Sequence, residues 1–309
     1  MTAYEVTPAS TQEKAHLLRY FRERGDEELS ELRQEIGNEN FEKLAKGVNT
    51  SVGKSLDAFK EVILSKSQVD GWTEDERLRS ILASTYCAQV AMLDLRNQVW
   101  PYEYMAFSRR IGELWERFVH IPFTYAVTNV TPFIPPLFSE VRSDLRKEIG
   151  DYIQELPLPS EQKEELLQYY EKVWTLVDSG EISLQLDLHA TIEGQKVNID
   201  FKSGFGSNEK GNTNRLLMVA TIYKNLDASY ENVLLVRARE DLNNHYFQTL
   251  KRSEVWQAFC GEDAYSKIGQ FTGFDLRGWI SANIDWENDL LPVTVSHLSN
   301  NHLMGYLEW

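Results

Sequence analysis

The sequence predicts a mixed α/β protein: a central mixed sheet flanked by helices, with a helical region ahead of it. Three features carry this expectation. Apolar residues recur at three- and four-residue steps through residues 11–100, as helices with one buried face require. From Ile182 the apolar period drops to two, the period of a strand. A helix-patterned stretch, Asn214–Leu226, then precedes Val233–Val236, a continuous apolar run of the kind a sheet buries on both faces. Strand, strand, helix, strand is the order of a mixed α/β layer. The expected organisation is a helical region over residues 1–100 and a core over 101–309, the core carrying a helical insertion around 136–180.

In chain order, the helical region opens at Thr11-Gln12-Glu13-Lys14, with Leu17, Leu18 and Phe21 on one side. Leu29, Leu32, Ile36, Phe41 and Leu44 continue the stripe, and a further helix begins at Asp75 and runs past Met92. Residues 103–120 form an amphipathic helix whose stripe is Met105, Ile111, Leu114, Trp115 and Phe118. On its surface Glu113 and Glu116, three apart, are neighbours. Ile121–Val130, β-branched and aromatic, reads as a strand. Thr131-Pro-Phe-Ile-Pro-Pro reads as an extended linker, because proline forbids helix. Residues 140–178 are again helical, with Ser160 as a cap and Gly180 just past the end. The helix Asn214–Leu226 offers Leu216, Leu217, Val219, Ala220, Tyr223 and Leu226 for burial.

Composition bounds the function classes. A chain of 309 residues, 42% hydrophobic, is long enough to bury a core. The charged fraction of 26%, with 17 Gly and 9 Pro, argues against global disorder. The longest apolar runs fall far short of the roughly 18–20 residues a membrane span needs. The opening Met-Thr-Ala-Tyr-Glu-Val lacks the basic and apolar regions of a secretory signal, so a cytoplasmic protein without membrane attachment is expected. Cys87 and Cys260 cannot build a disulfide framework or a zinc site alone and read as structural. Thirty-two basic against 47 acidic residues give a net charge of −15 with no basic tail or stripe. That balance argues against a protein that coats nucleic acid by charge, and leaves room for a local cleft or a carboxylate-lined metal site.

The segment Ile182–Ser203 carries the chemistry. Ile182, Leu184, Leu186, Leu188 and Ala190 alternate with Gln185, Asp187 and His189; Val197, Ile199 and Phe201 alternate with Lys196, Asn198, Asp200 and Lys202. Glu193-Gly194 between them fits a two-residue hairpin turn, glycine supplying a positive φ. That turn fixes a register in which Leu186 pairs with Phe201, Leu188 with Ile199 and Ala190 with Val197, so the two apolar faces coincide. In the same register Asp187 lies opposite Asp200, with Cβ atoms about 5 Å apart. Two facing carboxylates repel unless something positive lies between them. A hard divalent cation, Mg²⁺ above all, needs one or two such carboxylates plus substrate phosphate. Lys202, two residues along the same face, is suited to orienting a water or neutralising charge on a phosphate. The tripeptide acid-x-Lys alone is unspecific: about two are expected by chance among 15 lysines, and Glu161-Gln-Lys163 is the other. Context singles out the second.

Leu-Asp187 followed thirteen positions later by Asp200-Phe-Lys202, on consecutive strands, resembles the PD-(D/E)xK nucleases, and within them the type II restriction endonucleases. The stretch from Ser203 to Leu217, Ser-Gly-Phe-Gly-Ser-Asn-Glu-Lys-Gly-Asn-Thr-Asn-Arg-Leu-Leu, resembles the loop and helix start that follow the second strand there. The resemblance spans residues 181–240 well and 103–130 loosely, with Leu186 where the family has a nominal proline. It implies that Asp187 and Asp200 hold Mg²⁺, that Lys202 orients the water, and that Gly112-Glu-Leu-Trp-Glu116 is the family's first helix. Glu116 would then join the site, with Glu113 as runner-up. It further implies double-stranded DNA as substrate, a homodimer acting on a symmetric site, and a protecting DNA methyltransferase as genetic partner. Residues 1–100 would serve dimerisation or DNA embrace.

Other residues weigh less. Lys210, Asn214 and Arg215, by a loop rich in Gly, Asn and Ser, are candidates for phosphate or guanine-edge contacts. His189 reads better as a hydrogen-bonded neighbour of a carboxylate than as a base or ligand. Arg237 and Arg239 either approach DNA or pair with Glu240 and Asp241. Two other readings fit the same residues. One is a structure-specific repair or recombination nuclease. The other is a non-enzymatic interaction protein with a chance acidic hairpin.

Overall fold

Three long helices occupy the first hundred residues: α1 (Lys14–Ile36), α2 (Phe41–Asp70) and α3 (Glu74–Val99). The computed structural model describes residues 6–177, 182–206 and 209–309. α2 is capped by Asn40, and α3 by a reciprocal pair in which the Thr73 hydroxyl accepts from Glu76 N–H while Glu76 accepts from Thr73 N–H. From Ser80 to Asn97 every residue of α3 is buried, so it forms the axis against which α1 and α2 pack. α4 (Tyr104–Thr124) follows, then the edge strand β1 (Val130–Pro132), the helices α5 (Phe138–Glu155) and α6 (Ser160–Val177), and the hairpin β2 (Leu188–Ile192) and β3 (Gln195–Lys202). α7 (Lys210–Leu226) crosses to β4 (Glu231–Val236), and α8 (His245–Lys251) to β5 (Gln257–Cys260). The chain closes with α9 (Glu262–Thr272), α10 (Leu276–Asn283), α11 (Trp286–Asp289) and α12 (Pro292–Asn300).

The five strands lie in sequence order, β1 to β3 antiparallel and β3 to β5 parallel, so the sheet is mixed. One face carries Leu188, Ala190, Ile192, Val197, Ile199, Phe201, Val233 and Leu235 into a core shared with α1 to α4 and α9. The other places Leu234 and Val236 in a second core with Leu216, Val219, Ala220 and Tyr223 of α7 and Phe247 and Leu250 of α8. Alternate residues of Val233–Val236 therefore feed both layers, as the apolar run requires. The first core runs without a break from the N-terminal helices to the sheet. Cys87 and Cys260 are both buried and free.

Several expectations need correction. Ile121–Val130 is no strand: α4 continues through Pro122 to Thr124, and pairing starts at Val130. Burial decides this, since Phe118, Val119, Ile121 and Phe123 all enter the core from the helix, which outweighs the i→i−4 hydrogen bond that Pro122 gives up. Thr131 and Pro132 belong to the edge strand instead of a free linker, a place where proline is tolerated. Met105 and Phe41 lie exposed in the first turns of their helices, before those helices reach the core, and Leu226 is exposed at the last turn of α7. Ser160 begins α6 as its first residue, while the helix stop at Gly180 lies outside the described residues.

The hairpin register is as the turn predicts for Leu188–Ile199 and Ala190–Val197. Glu193 and Gly194 both take positive φ, +49° and +84°, the two-residue turn that matches strand twist. The ladder begins only at Leu188, however. The chain bends at Asp187, and Leu184 and Leu186 enter the second core while Phe201 stays in the first. The expected Leu186–Phe201 contact is therefore not made.

A buried charge cluster ties the C-terminal segment to the helical layer. Asp94, wholly buried on α3, accepts from Arg22 Nη2 at 2.7 Å and from Leu291 N–H at 2.9 Å. Asp289 accepts from Lys14 Nζ and from the Tyr86 hydroxyl, both at 2.7 Å. Asp94→Ala leaves Leu291 N–H without its acceptor and Arg22 with only the Asp289 carbonyl in place of a carboxylate, and is expected to lower unfolding free energy by about 3 kcal/mol in denaturant titration. A loss within 0.5 kcal/mol, the ordinary range for a surface change, would contradict this account of the clasp.

Candidate functional site

The site forms where β3 ends. Continued by two residues, the hairpin register would set Asp187 directly against Asp200 and pair Leu186 with Phe201. Instead the main-chain groups of that pair are taken by side chains. Asp187 Oδ2 accepts from Phe201 N–H at 2.7 Å, and Lys202 Nζ donates to Phe201 O at 3.1 Å. Leu186 N–H donates to His189 Nε2 at 2.9 Å, and Gln185 Nε2 donates to Leu186 O at 3.0 Å. Four side chains thus hold the strand end open and keep its backbone polar groups satisfied.

The opening distributes charge. Asp200 is 1% exposed, beneath α7, whereas the side chain of Asp187 is 40% exposed. Lys202 Nζ lies 2.8 Å from Asp200 Oδ2 and 3.9 Å from Asp187 Oδ2. Arg215 of α7 turns inward, with Nη2 3.7 Å from Asp200 Oδ1 and Nη1 donating to Gln185 O at 3.3 Å. Burial pushes the Asp200 carboxyl above its ordinary range, against the pull of Lys202. Burial also works to discharge Lys202, but Asp200, Asp187 and Glu116 outweigh it and hold the ammonium's pKa above normal. Neither oxygen of Asp200 receives a well-directed hydrogen bond.

α4 brings the third carboxylate. It crosses the end of β3 closely: a Cβ on Gly112 would lie 3.0 Å from Ser203 Oγ, which is why this position suits glycine. One turn further, Glu116 feels Lys202, Asp187 and Asp200, and burial together with those carboxylates raises its pKa to about 7, against the attraction of Lys202. Glu113 is turned toward Arg110, at 3.3 Å, whereas Glu116 feels Lys202, Asp187 and Asp200, so Glu116 is the member of the pair that joins the cluster's electrostatics.

The remaining candidates separate. Lys210 and Asn214 lie exposed at the start of α7. His189 does not share the face of Asp187: it is buried, bonded to Asn198 and packed beside Phe133 and Tyr223. Arg239 pairs with exposed Asp241, and Arg237 donates to Tyr306 O at 2.9 Å, with Glu116 among the charges acting on it. Ser207 and Asn208 of the following loop lie outside the described residues. His120 escaped the sequence reading. It sits one turn beyond Glu116 and bonds the backbone of Asp187, and burial lowers its pKa, so it is neutral. The i, i+4 spacing from Glu116 was the available signal.

Among the described residues, no three His, Cys, Asp or Glu side chains converge into a ready-made metal cage. Two carboxylates and a phosphate are enough for Mg²⁺, however, and buried Asp200, whose oxygens are met by charge but by no well-directed hydrogen bond, suits such a ligand beside open Asp187. No family model matches the chain, and no curated protein or solved structure matches it significantly.

The Glu116 shift has a sign that can be read in stability. A carboxyl whose pKa is higher in the folded than in the unfolded state binds its proton more tightly when folded. Its contribution is therefore full below about pH 4.5 and is lost as the pH rises through about 7. In chelator, Glu116→Gln is expected to remove about 1–2 kcal/mol of the stability lost between pH 5 and 8, a value discounted for partial solvent screening. Denaturant midpoints at the two pH values check this; parallel losses in both proteins would contradict it.

Proposed function

We propose that the protein is a Mg²⁺-dependent type II restriction endonuclease of the PD-(D/E)xK class, hydrolysing double-stranded DNA at a specific sequence in the cytoplasm. The observation that carries the reading is the approach of Asp187 and Asp200 to Lys202 at the end of β3, with Glu116 near enough to feel all three charges. There a buried carboxylate lies 2.8 Å from an ammonium held above its ordinary pKa. Helix, hairpin, helix and strand in that order, with the cluster at the carboxyl ends of parallel strands, support it.

Asp187 and Asp200 are the residues that would hold Mg²⁺, which supplies Lewis-acid polarisation of the phosphate and acidifies a bound water. Lys202 stays charged at neutral pH. Its place between the two carboxylates suits it to orient the water and to neutralise charge building on the phosphate oxygens. The water oxygen forms the new P–O bond and gives its proton to a nearby carboxylate as the bond to the departing sugar oxygen breaks, and that oxygen takes a proton from solvent. Glu116 contributes the third carboxylate, and its pKa of about 7 suits proton transfer. Arg215 neutralises Asp200 in the absence of DNA and is placed to reach a phosphate once that charge is otherwise met. Lys210 and Asn214, exposed at the start of the same helix, are placed for peripheral DNA contact.

The net charge of −15 argues against DNA contact over the general surface and discourages indiscriminate binding. A homodimer matches a symmetric site, with residues 1–100 as the surface for dimerisation or DNA embrace. A DNA methyltransferase that protects the host is the genetic partner.

Digestion of plasmid and phage DNA tests the proposal. Wild type with Mg²⁺ is expected to give discrete fragments, and chelator to abolish them. Lys202→Ala is expected to slow cleavage by at least about 100-fold. A smear or nicks would instead indicate a structure-specific repair nuclease. Intact DNA across several substrates, or cleavage unchanged by Asp200→Ala, would overturn the assignment.

A further inference from the structure

We infer that His189 is a positioning residue for Asp187, acting through Leu186 at the end of a buried chain of three amide and imidazole side chains. The inference rests on the proposed nuclease reading for its consequence in catalysis. Residues 184–187 lie outside the hairpin ladder, and each is held by a side chain from elsewhere. The Tyr223 hydroxyl donates to Leu184 O at 3.0 Å, Arg215 Nη1 to Gln185 O at 3.3 Å, and Leu186 N–H to His189 Nε2 at 2.9 Å. His120 bonds the backbone of Asp187.

The bond at Leu186 differs from the others because its direction is fixed from a distance. Asn232 Nδ2 donates to two main-chain carbonyls, Ala220 O at 3.3 Å and Val255 O at 3.1 Å. Those bonds set its amide orientation, so Asn232 Oδ1 must accept, and Asn198 Nδ2 donates to it at 2.9 Å. Asn198 Oδ1 then accepts from His189 Nδ1–H at 2.8 Å. The ring is left as the tautomer whose Nε2 carries a lone pair, aimed at Leu186 N–H. His189, Asn198 and Asn232 are 3%, 0% and 1% exposed, and Asn198 and Asn232 are register partners on β3 and β4. Such a chain is costly unless every member is satisfied, and here each link is.

A simpler arrangement exists: Leu186 N–H would bond Phe201 O and the hairpin would continue. That would bring Asp187 opposite Asp200. By drawing Leu186 N–H away from β3, His189 turns the chain at Asp187, whose carboxylate then takes Phe201 N–H. The separation of the two site carboxylates thus depends on an acceptor supplied from the far face of the sheet. His189 touches neither carboxylate group, so its effect is on their placement.

Two substitutions separate the two nitrogens. His189→Gln places a carbonyl oxygen near the position of Nε2 and keeps an acceptor for Leu186 N–H, but gives up the bond to Asn198. His189→Asn places an amide nitrogen near Nδ1 and keeps the bond to Asn198, but gives up the acceptor. Each breaks one buried bond, so both melting temperatures are expected to fall by similar amounts. His189→Gln is expected to retain most of the Mg²⁺-dependent cleavage rate and a protected Leu186 amide in hydrogen exchange. His189→Asn is expected to lose rate on the order of 100-fold, as an ångström-scale misplacement does, with Leu186 exchanging freely. Equal losses in the two variants, or a full rate in His189→Asn, would overturn the inference. Should His189→Asn not fold, Asn198→Ala makes the comparison with His189 in place, since it releases the tautomer. A slowed rate supports the inference and an unchanged one overturns it. If the wild type cuts no DNA, the nuclease reading fails by itself, and Mn²⁺ affinity then decides. Selective weakening in His189→Asn supports the positioning role; equal affinities overturn it.

Discussion

The pairing that β2 and β3 leave unmade governs the rest of the site. An antiparallel hairpin running two residues further would place two carboxylates face to face, a destabilising arrangement. The protein stops the ladder at Leu188 and lets Gln185, Asp187, His189 and Lys202 take the main-chain groups released. The interruption gives each carboxylate a different environment. Asp200 is sealed beneath α7 against Lys202 and Arg215, and Asp187 is held at the solvent edge. Two acids of the same chemical type are made unlike by one bend.

Neighbouring elements are fitted to that bend. α4 approaches closely at Gly112 and so carries Glu116 and His120 to the same strand end. α7 covers the far face and supplies Arg215 and Tyr223 to the incoming segment. The long N-terminal helices share the core of the sheet face that α4 packs on, and the Asp94 and Asp289 cluster fastens the C-terminal segment to them. The foundation of the site therefore extends well beyond the hairpin.

Much of this was legible because the hairpin obeys local rules. Two residues of positive φ set the register, and alternation then fixed which side chains face together. The same alternation misled beyond Leu188: Leu184 and Leu186 keep the spacing of a strand yet belong to the opposite core, since the turn at Asp187 is made by side-chain hydrogen bonds that no period encodes. His189 itself keeps the deduced register, opposite Asn198 and bonded to it; the departure lies at Asp187. Ile121–Val130 failed differently: β-branched and aromatic residues fit a strand or a buried helix equally, and burial against Phe201 and Phe271 decided. The inward turn of Arg215 depends on how α7 crosses the sheet, which lies beyond any local pattern.

The central claim is that Asp187 and Asp200, held apart by the interrupted ladder, share one divalent cation. Crystals of the protein grown with Mn²⁺ and a DNA duplex, measured at the manganese absorption edge, test it most directly. The account predicts an anomalous peak coordinated by both carboxylates at the end of β3, with the Lys202 ammonium beside it. A peak bound elsewhere, or no peak at saturating Mn²⁺, would contradict it.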